Sequence, residues 1–234
     1  MRAAAAKGDP SAQFEVALRY AEGRGVAQSF TEAAQWFERA ANQGLVPAQF
    51  RLAGLYEKGL GVTKSLDIAR RYYAAAGEAG NAKALHNLAV LYAEGMGGNP
   101  DYQAAARWFR RAAAYGLIDS QYNLAVLNAR GIGVEQNLAE AYRWFALAAR
   151  EGDPEASRRR DEVAAHLDAR ALQSAIEAVQ AWRAEPQPRA ANHVEAPPGG
   201  WHAKLPSEPA SAPLRRKPPA TPPKGELASP RAAQ

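Results

Sequence analysis

The chain contains no cysteine and only two methionines among its 234 residues. Without cysteine there is no disulfide, no thiolate metal site and no cysteine nucleophile. The same lack leaves the compartment open, because a cysteine-free protein is at home on either side of a membrane. No apolar run approaches the ~18 residues that a membrane span requires. The opening stretch MRAAAAKGDP lacks the apolar segment and small-residue cleavage site of a secretory leader. An excess of one charge is also missing from most of the chain: residues 1–185 carry 22 Lys and Arg against 21 Asp and Glu. The surplus behind the net charge of +5 sits in residues 186–234, with 7 against 3. A near-neutral body without a basic stripe argues against a nucleic-acid partner. The four histidines, His86, His166, His193 and His202, are isolated, with no H-E-x-x-H or i, i+4 pairing. No G-x-S-x-G motif and no phosphate-cradling loop is present. The expectation is therefore no enzyme, no catalytic residue, no metal ligand and no cofactor.

What the chain has instead is repetition. Displaced by thirty-six residues it superimposes on itself: Gly8, Gly44, Gly80, Gly116 and Gly152 form one column, and Gly23, Gly59, Gly95 and Gly131 another. Gly25, Gly61, Gly97 and Gly133 form a third. Aromatic columns follow, Trp36, Tyr72, Trp108, Trp144 and Phe37, Tyr73, Phe109, Phe145, with no insertion to break the frame. A period of this size marks a stacked array whose units bury their apolar faces against their neighbours.

Each unit reads as two helices. Asp9 with Pro10, Asn81, and Asp153 with Pro154 are start signals for first helices, and the Gly23 column ends them. The column Ser29, Ser65, Asp101, Asn137 caps second helices, with Ser29 and Glu32 spaced as a capping box. Val16, Ala17 and Tyr20 recur as Leu52, Ala53, Tyr56, then Leu88, Ala89, Tyr92, then Leu124, Ala125, Asn128. Small alanine columns beside large aromatic ones let antiparallel helices approach and interlock, so the aromatics are expected in the core. His86 falls in the column of Phe14, Phe50 and Tyr122 and is expected to be a packed ring.

The pattern A-x-x-x-L-A-x-x-Y-x-x-G-x-G…A-x-x-W-[FY]-x-x-A-A-x-x-G, across about 9–152, resembles the Sel-like repeat (SLR) family, relatives of the tetratricopeptide class. The resemblance implies an all-α chain folded as an α/α superhelical solenoid of helix-turn-helix repeats, which works by gripping other proteins. Secreted SLR proteins with a cysteine pair per repeat have been linked to β-lactam binding, and the missing cysteines disfavour that subgroup.

Residues 1–8 fall on the closing turn of a second helix and read as the end of a truncated preceding repeat, with a frayed alanine-rich cap as the alternative. Repeats then occupy 9–44, 45–80, 81–116 and 117–152. Residues 153–185 read as capping helices: DPEASRRRDEVAAHL is a fifth first-helix, and Asp168 caps a last one with Leu172, Ile176, Val179 and Trp182 on one stripe. Residues 186–234 hold 12 of the 16 prolines and one aromatic, Trp201, so this basic tail is expected to be disordered. The stretch from the last helix to AANHVEAPPGGW resembles the end of the repeat region in PodJ-type polar localisation factors of alphaproteobacteria. That likeness implies a periplasmic piece of a longer membrane-anchored polarity protein near peptidoglycan; otherwise the chain would be cytoplasmic.

At ~100° per residue, four positions share the first-helix face opposite the core. They are Glu15, Leu18, Arg19, Glu22 in the first repeat and Arg51, Gly54, Leu55, Lys58 in the second. Asn87, Val90, Leu91, Glu94 and Asn123, Val126, Leu127, Arg130 continue the face. First helices line the concave side of such arrays, and Asn, with donor and acceptor groups, suits an extended peptide backbone. A protein or peptide partner is therefore expected against Glu15, Arg19, Arg51, Leu55, Lys58, Asn87, Leu91, Glu94, Asn123, Leu127 and Arg130. The alternative for Leu55, Leu91 and Leu127 is packing between neighbouring first helices. Other readings of the whole are an SLR-type enzyme or β-lactam-binding protein, or a spacer without a ligand. The oligomeric state is not legible.

Overall fold

The computed structural model describes residues 1–196, and all regular structure among them is helical. A short α1 (Arg2–Ala6) precedes four helix pairs. These are α2 (Pro10–Glu22) with α3 (Phe30–Asn42), and α4 (Val46–Lys58) with α5 (Leu66–Glu78). They continue as α6 (Ala82–Ala93) with α7 (Tyr102–Ala114), and α8 (Ile118–Arg130) with α9 (Leu138–Arg150). Then come α10 (Pro154–Ala164), α11 (Ala169–Ala181) and α12 (Arg189–Asn192). Each helix from α1 to α9 packs on the next in the chain, and α11 packs back on α9, which builds the α/α superhelical solenoid.

The local signals act as the residue types dictate. Asp9 Oδ1 accepts the Ala12 N–H at 2.7 Å, and Ser29, Ser65, Asp101 and Asn137 each accept the N–H three residues on. The capping box at Ser29 is only half formed. Its own N–H donates to the Tyr20 carbonyl at 2.9 Å, leaving nothing for Glu32 to accept. The same tie joins Ser65 to Tyr56, Asp101 to Tyr92 and Asn137 to Asn128, so this backbone bond closes every loop between paired helices. The third loop deviates: α6 stops at Ala93, a 3-10 turn covers Gly95–Gly97, and Met96 is left at φ +48°. In the first and fourth loops Gln28 and Gln136 donate to Ala21 and Ala129 at 2.8 Å; the third loop has Pro100, which carries no such side chain.

Val16, Leu52, Leu88 and Leu124 are fully buried, with Phe37, Tyr73, Phe109 and Phe145 interleaved between the helices. Asn128, also buried, donates to the Leu124 carbonyl of its own helix at 2.8 Å. A second tie runs between repeats. Gln13, Gln49 and Gln121 each donate to the carbonyl closing the preceding second helix, on Ala5, Ala41 and Ala113. Through this tie α1 occupies the place of a second helix's last turn, as the frame requires.

Beyond the repeats, α10 carries exposed ion pairs of Arg158 and Arg159 with Glu155 and Glu162. Asp168 caps α11 at 2.7 Å, and Val179 and Trp182 pack on the core of the fourth repeat. The sequence assigned residues from 186 onward to a disordered tail. Residues 182–196 are instead laid back across the repeats. The Glu185 N–H donates to the Ala114 carbonyl at 2.9 Å, and Pro188 lies over Gly80. Asn81 Nδ2 donates to the Ala191 carbonyl at 2.8 Å, Ala191 is buried, and Val194 packs on the core of the first two repeats. The apolar residues here are too few to form a core but enough to cover an existing one. The remainder of the tail assignment, 197–234 including Trp201, lies outside the described residues.

Candidate binding groove

Column 18 faces outward along the first helices, and two clefts open over it. The first, about 600 Å³, lies over α2, α4 and α6. Leu18, Gly54 and Val90 form its floor, with Arg51, Lys58 and Asn87 around it. The second, about 850 Å³, lies over α8 and α10, with Val126 beside Asn123, Arg130, Arg159 and His166. The thirty-six-residue frame thus runs on through α10 and its closing turn, where Arg159, Glu162 and His166 continue the columns of Asn123, Val126 and Arg130.

Of the residues expected on this face, Arg51, Leu55, Lys58 and Asn87 line the first cleft and Asn123 and Arg130 the second. Glu15 and Arg19 line neither; they pair with each other at 3.0 Å, their side chains 8% and 14% exposed. Glu94 is exposed at the end of α6, outside both clefts. Leu55, Leu91 and Leu127 are buried in three separate core clusters, at 8%, 2% and 7% exposure. Column 19 lies only about 60° around the helix from core column 16, and that angle turns its leucines toward the packed interior. They pack into the core, and column 18 supplies the apolar floor, with Leu55 at the edge of the first cleft.

The sequence reading missed one group. Tyr73 belongs to the core aromatic column, yet its hydroxyl reaches the first cleft. There it donates to Glu57 Oε2 at 2.6 Å and accepts from Asn87 Nδ2 at 3.0 Å. Burial, then the bond to Glu57, pushes the phenol above its ordinary range, so it remains a donor. A column comparison carries the signal: only the second repeat has Gly54, Glu57 and Tyr73. The others have Leu18, Val90, Val126; Ala21, Ala93, Ala129; and Phe37, Phe109, Phe145.

His86 is a packed ring as expected, 5.6 Å from the Phe109 ring centre, with Nδ1 2.8 Å from Ser120 Oγ. Burial lowers its pKa, and Asp119 acts more weakly in the other direction. Ser120 is fully buried, so its hydroxyl meets no substrate. Among the described residues no cluster of three His, Asp or Glu side chains is arranged to hold a metal, and no helix is long and apolar enough to cross a membrane.

Four segments, 10–45, 46–81, 82–116 and 118–153, match the model of the Sel1 repeat. The chain belongs to the Sel1 repeat family. Among solved structures it is similar to a Sel1 repeat protein from Oxalobacter formigenes, at 31% identity and a TM-score of 0.64. That match covers 76% of this chain and 75% of the other. A protective antigen of uropathogenic Escherichia coli strains displaying an SLR fold matches at 25% identity and a TM-score of 0.49. There the alignment covers 81% of this chain and 49% of the other. No curated protein matches in sequence. Sel1 repeat proteins are in general protein-interaction scaffolds, mostly without catalysis.

Proposed function

We propose that this Sel1 repeat chain is a non-enzymatic scaffold that grips a protein or peptide segment along the concave face of its first helices. The observation that carries this reading is the alignment of two clefts on one face. They are bordered by polar side chains that the fold leaves unused: Arg51, Lys58, Asn123 and Arg130 make no hydrogen bond or ion pair among the described residues. Exposed cations and the half-buried Asn123 amide beside an apolar floor offer a peptide both charge pairing and backbone hydrogen bonds. The narrower placement, in a cell-envelope or polar localisation factor, rests on the resemblance of the segment after α11. The docking of Trp182–Val194 on the repeats makes that segment an integral part of the folded body.

The test is capture of a partner from the native proteome, followed by direct titration of the identified protein. Arg51→Glu, Asn123→Ala and Arg130→Glu are expected to weaken binding. Arg107→Glu, exposed on α7, is expected to leave it unchanged. Undiminished binding by all three groove variants would overturn the reading.

A further inference from the structure

In a repeat array each column states what the fold needs at that position, and one repeat that departs from it serves something else. The second repeat departs at three columns of one cleft. Glycine replaces Leu or Val at position 54, glutamate replaces Ala at 57, and tyrosine replaces Phe at 73. The three departures meet. A Cβ on Gly54 would lie 3.6 Å from Tyr73 Oη, so the glycine leaves the space over the hydroxyl open. Tyr73 is 1% exposed, and its hydroxyl is held on both sides, by Glu57 and by Asn87, where the other repeats place a phenylalanine that needs neither.

The polarity of this chain of bonds has a direction. Asn87 donates to Tyr73, Tyr73 donates to Glu57 Oε2, and Glu57 is the acceptor at the end. Glu57 makes no ion pair with any described residue, although Arg51 and Lys58 border the same cleft. Its carboxylate is thus held in place by one short bond with Oε1 left to accept. What complements it is a donor that carries positive charge.

We infer that the Gly54–Glu57–Tyr73–Asn87 cluster is a specificity subsite that takes an arginine or lysine side chain of the segment bound in the groove. This rests on the scaffold reading above and names one feature of its ligand. The apolar stem of such a side chain would lie over Gly54, between Leu18 and Val90, and its head would reach Glu57.

The probe is N-acetyl-L-arginine methylamide, titrated into the full chain while the Asn87 side-chain amide is followed by NMR. The isosteric citrulline derivative is the uncharged control. A saturable shift is expected for arginine, with citrulline about tenfold weaker or worse. Glu57→Ala and Gly54→Leu are expected to abolish the shift. Other repeats carry both residues at those columns beside Phe, so the helical fold should hold. Glu57→Ala leaves the Tyr73 hydroxyl without its acceptor and should lower Tm, while the Asn87–Tyr73 reporter stays in place. An equal response to citrulline, no saturable response to arginine, or full binding by Glu57→Ala would each overturn the subsite. Partner capture separates this from the broader proposal. If Glu57→Ala and Gly54→Leu capture normally while Arg51→Glu and Arg130→Glu do not, the subsite is wrong and the scaffold stands. Normal capture by all four would sink both.

Discussion

Leu85 and Gly77 fill, at the junction of the second and third repeats, the place where other junctions set a glutamine against an alanine. A Cβ on Gly77 would lie 2.7 Å from Leu85 Cδ2. Elsewhere Gln13, Gln49 and Gln121 reach the carbonyls of Ala5, Ala41 and Ala113. The third junction exchanges that hydrogen bond for apolar contact, which requires both changes together.

That exchange predicts strong coupling. Gly77→Ala would gain ~1 kcal/mol in an exposed helix. Here the clash with fully buried Leu85 wins, for a net loss of roughly 1–2 kcal/mol in urea unfolding. Adding Leu85→Gln restores the arrangement of the neighbouring junctions and most of the stability. The double-mutant cycle should show coupling of about 1 kcal/mol or more. Additive single effects would contradict the packing described.

Equivalent glycines should differ in their tolerance of alanine. Gly61 and Gly133, both at positive φ, approach the preceding repeat so closely that a Cβ would sit 2.2 Å from the Phe30 carbonyl carbon and 2.3 Å from that of Tyr102. Gly25 shares the conformation, with φ +76°, but has nothing within 4 Å. Gly25→Ala should therefore lose only the ~1 kcal/mol of left-handed backbone strain. Gly61→Ala and Gly133→Ala should lose roughly 1–3 kcal/mol more, because backbone cannot rotate aside. Equal Tm losses at Gly25 and Gly61 would refute the close approach.

Asn81 serves two elements at once. Its Oδ1 caps α6 through the Ala84 N–H at 2.8 Å, while its Nδ2 holds Ala191 and, at 3.2 Å, Asn192. Asn81→Asp keeps an N-cap of equal quality and removes both donors. Hydrogen exchange should then rise across residues 185–194 with little change in α6. A weakening of about 1 kcal/mol is expected for the docked segment. Faster exchange in α6 instead would show that the segment is not held from Asn81.

His86 gives the array a modest acid sensitivity. Its folded pKa lies below the ordinary 6.5, first because of burial, so the unfolded chain takes up the proton earlier. Stability is then highest above the unfolded value and falls as pH drops toward the folded one, where it levels off. Thermal unfolding between pH 7 and 5 should show this fall. His86→Phe with Ser120→Ala, which puts in residues of the equivalent columns, should lose it. A slope that survives the double change would place the titration elsewhere.

Much of this was legible without coordinates because every repeat supplies an independent copy of the same instruction. Asp9, Ser65 and Asn137 cap where they stand, since a cap depends on a few neighbouring residues. The fifth first-helix and the Asp168 cap were equally local. The groove was only partly legible. Its angular face could be read from helical period, but column 19 sits near the boundary of that face. Whether Leu55, Leu91 and Leu127 turn out or in depends on how closely neighbouring first helices approach. The docked segment 186–196 was missed because proline-rich composition speaks of what a chain can bury alone, and Ala191 and Val194 are buried by others.

By itself the sequence determined the period, the helix boundaries, the core columns and the absence of thiol chemistry, all of which follow from residue type and spacing along a single chain. The tertiary structure decided which side chains meet across repeats. It brought Glu57, Tyr73 and Asn87, separated by up to thirty residues, within hydrogen-bonding reach, and it carried Ala191 back 110 residues to Asn81. Such meetings depend on the rise and turn from one helix pair to the next, and no single repeat encodes that geometry.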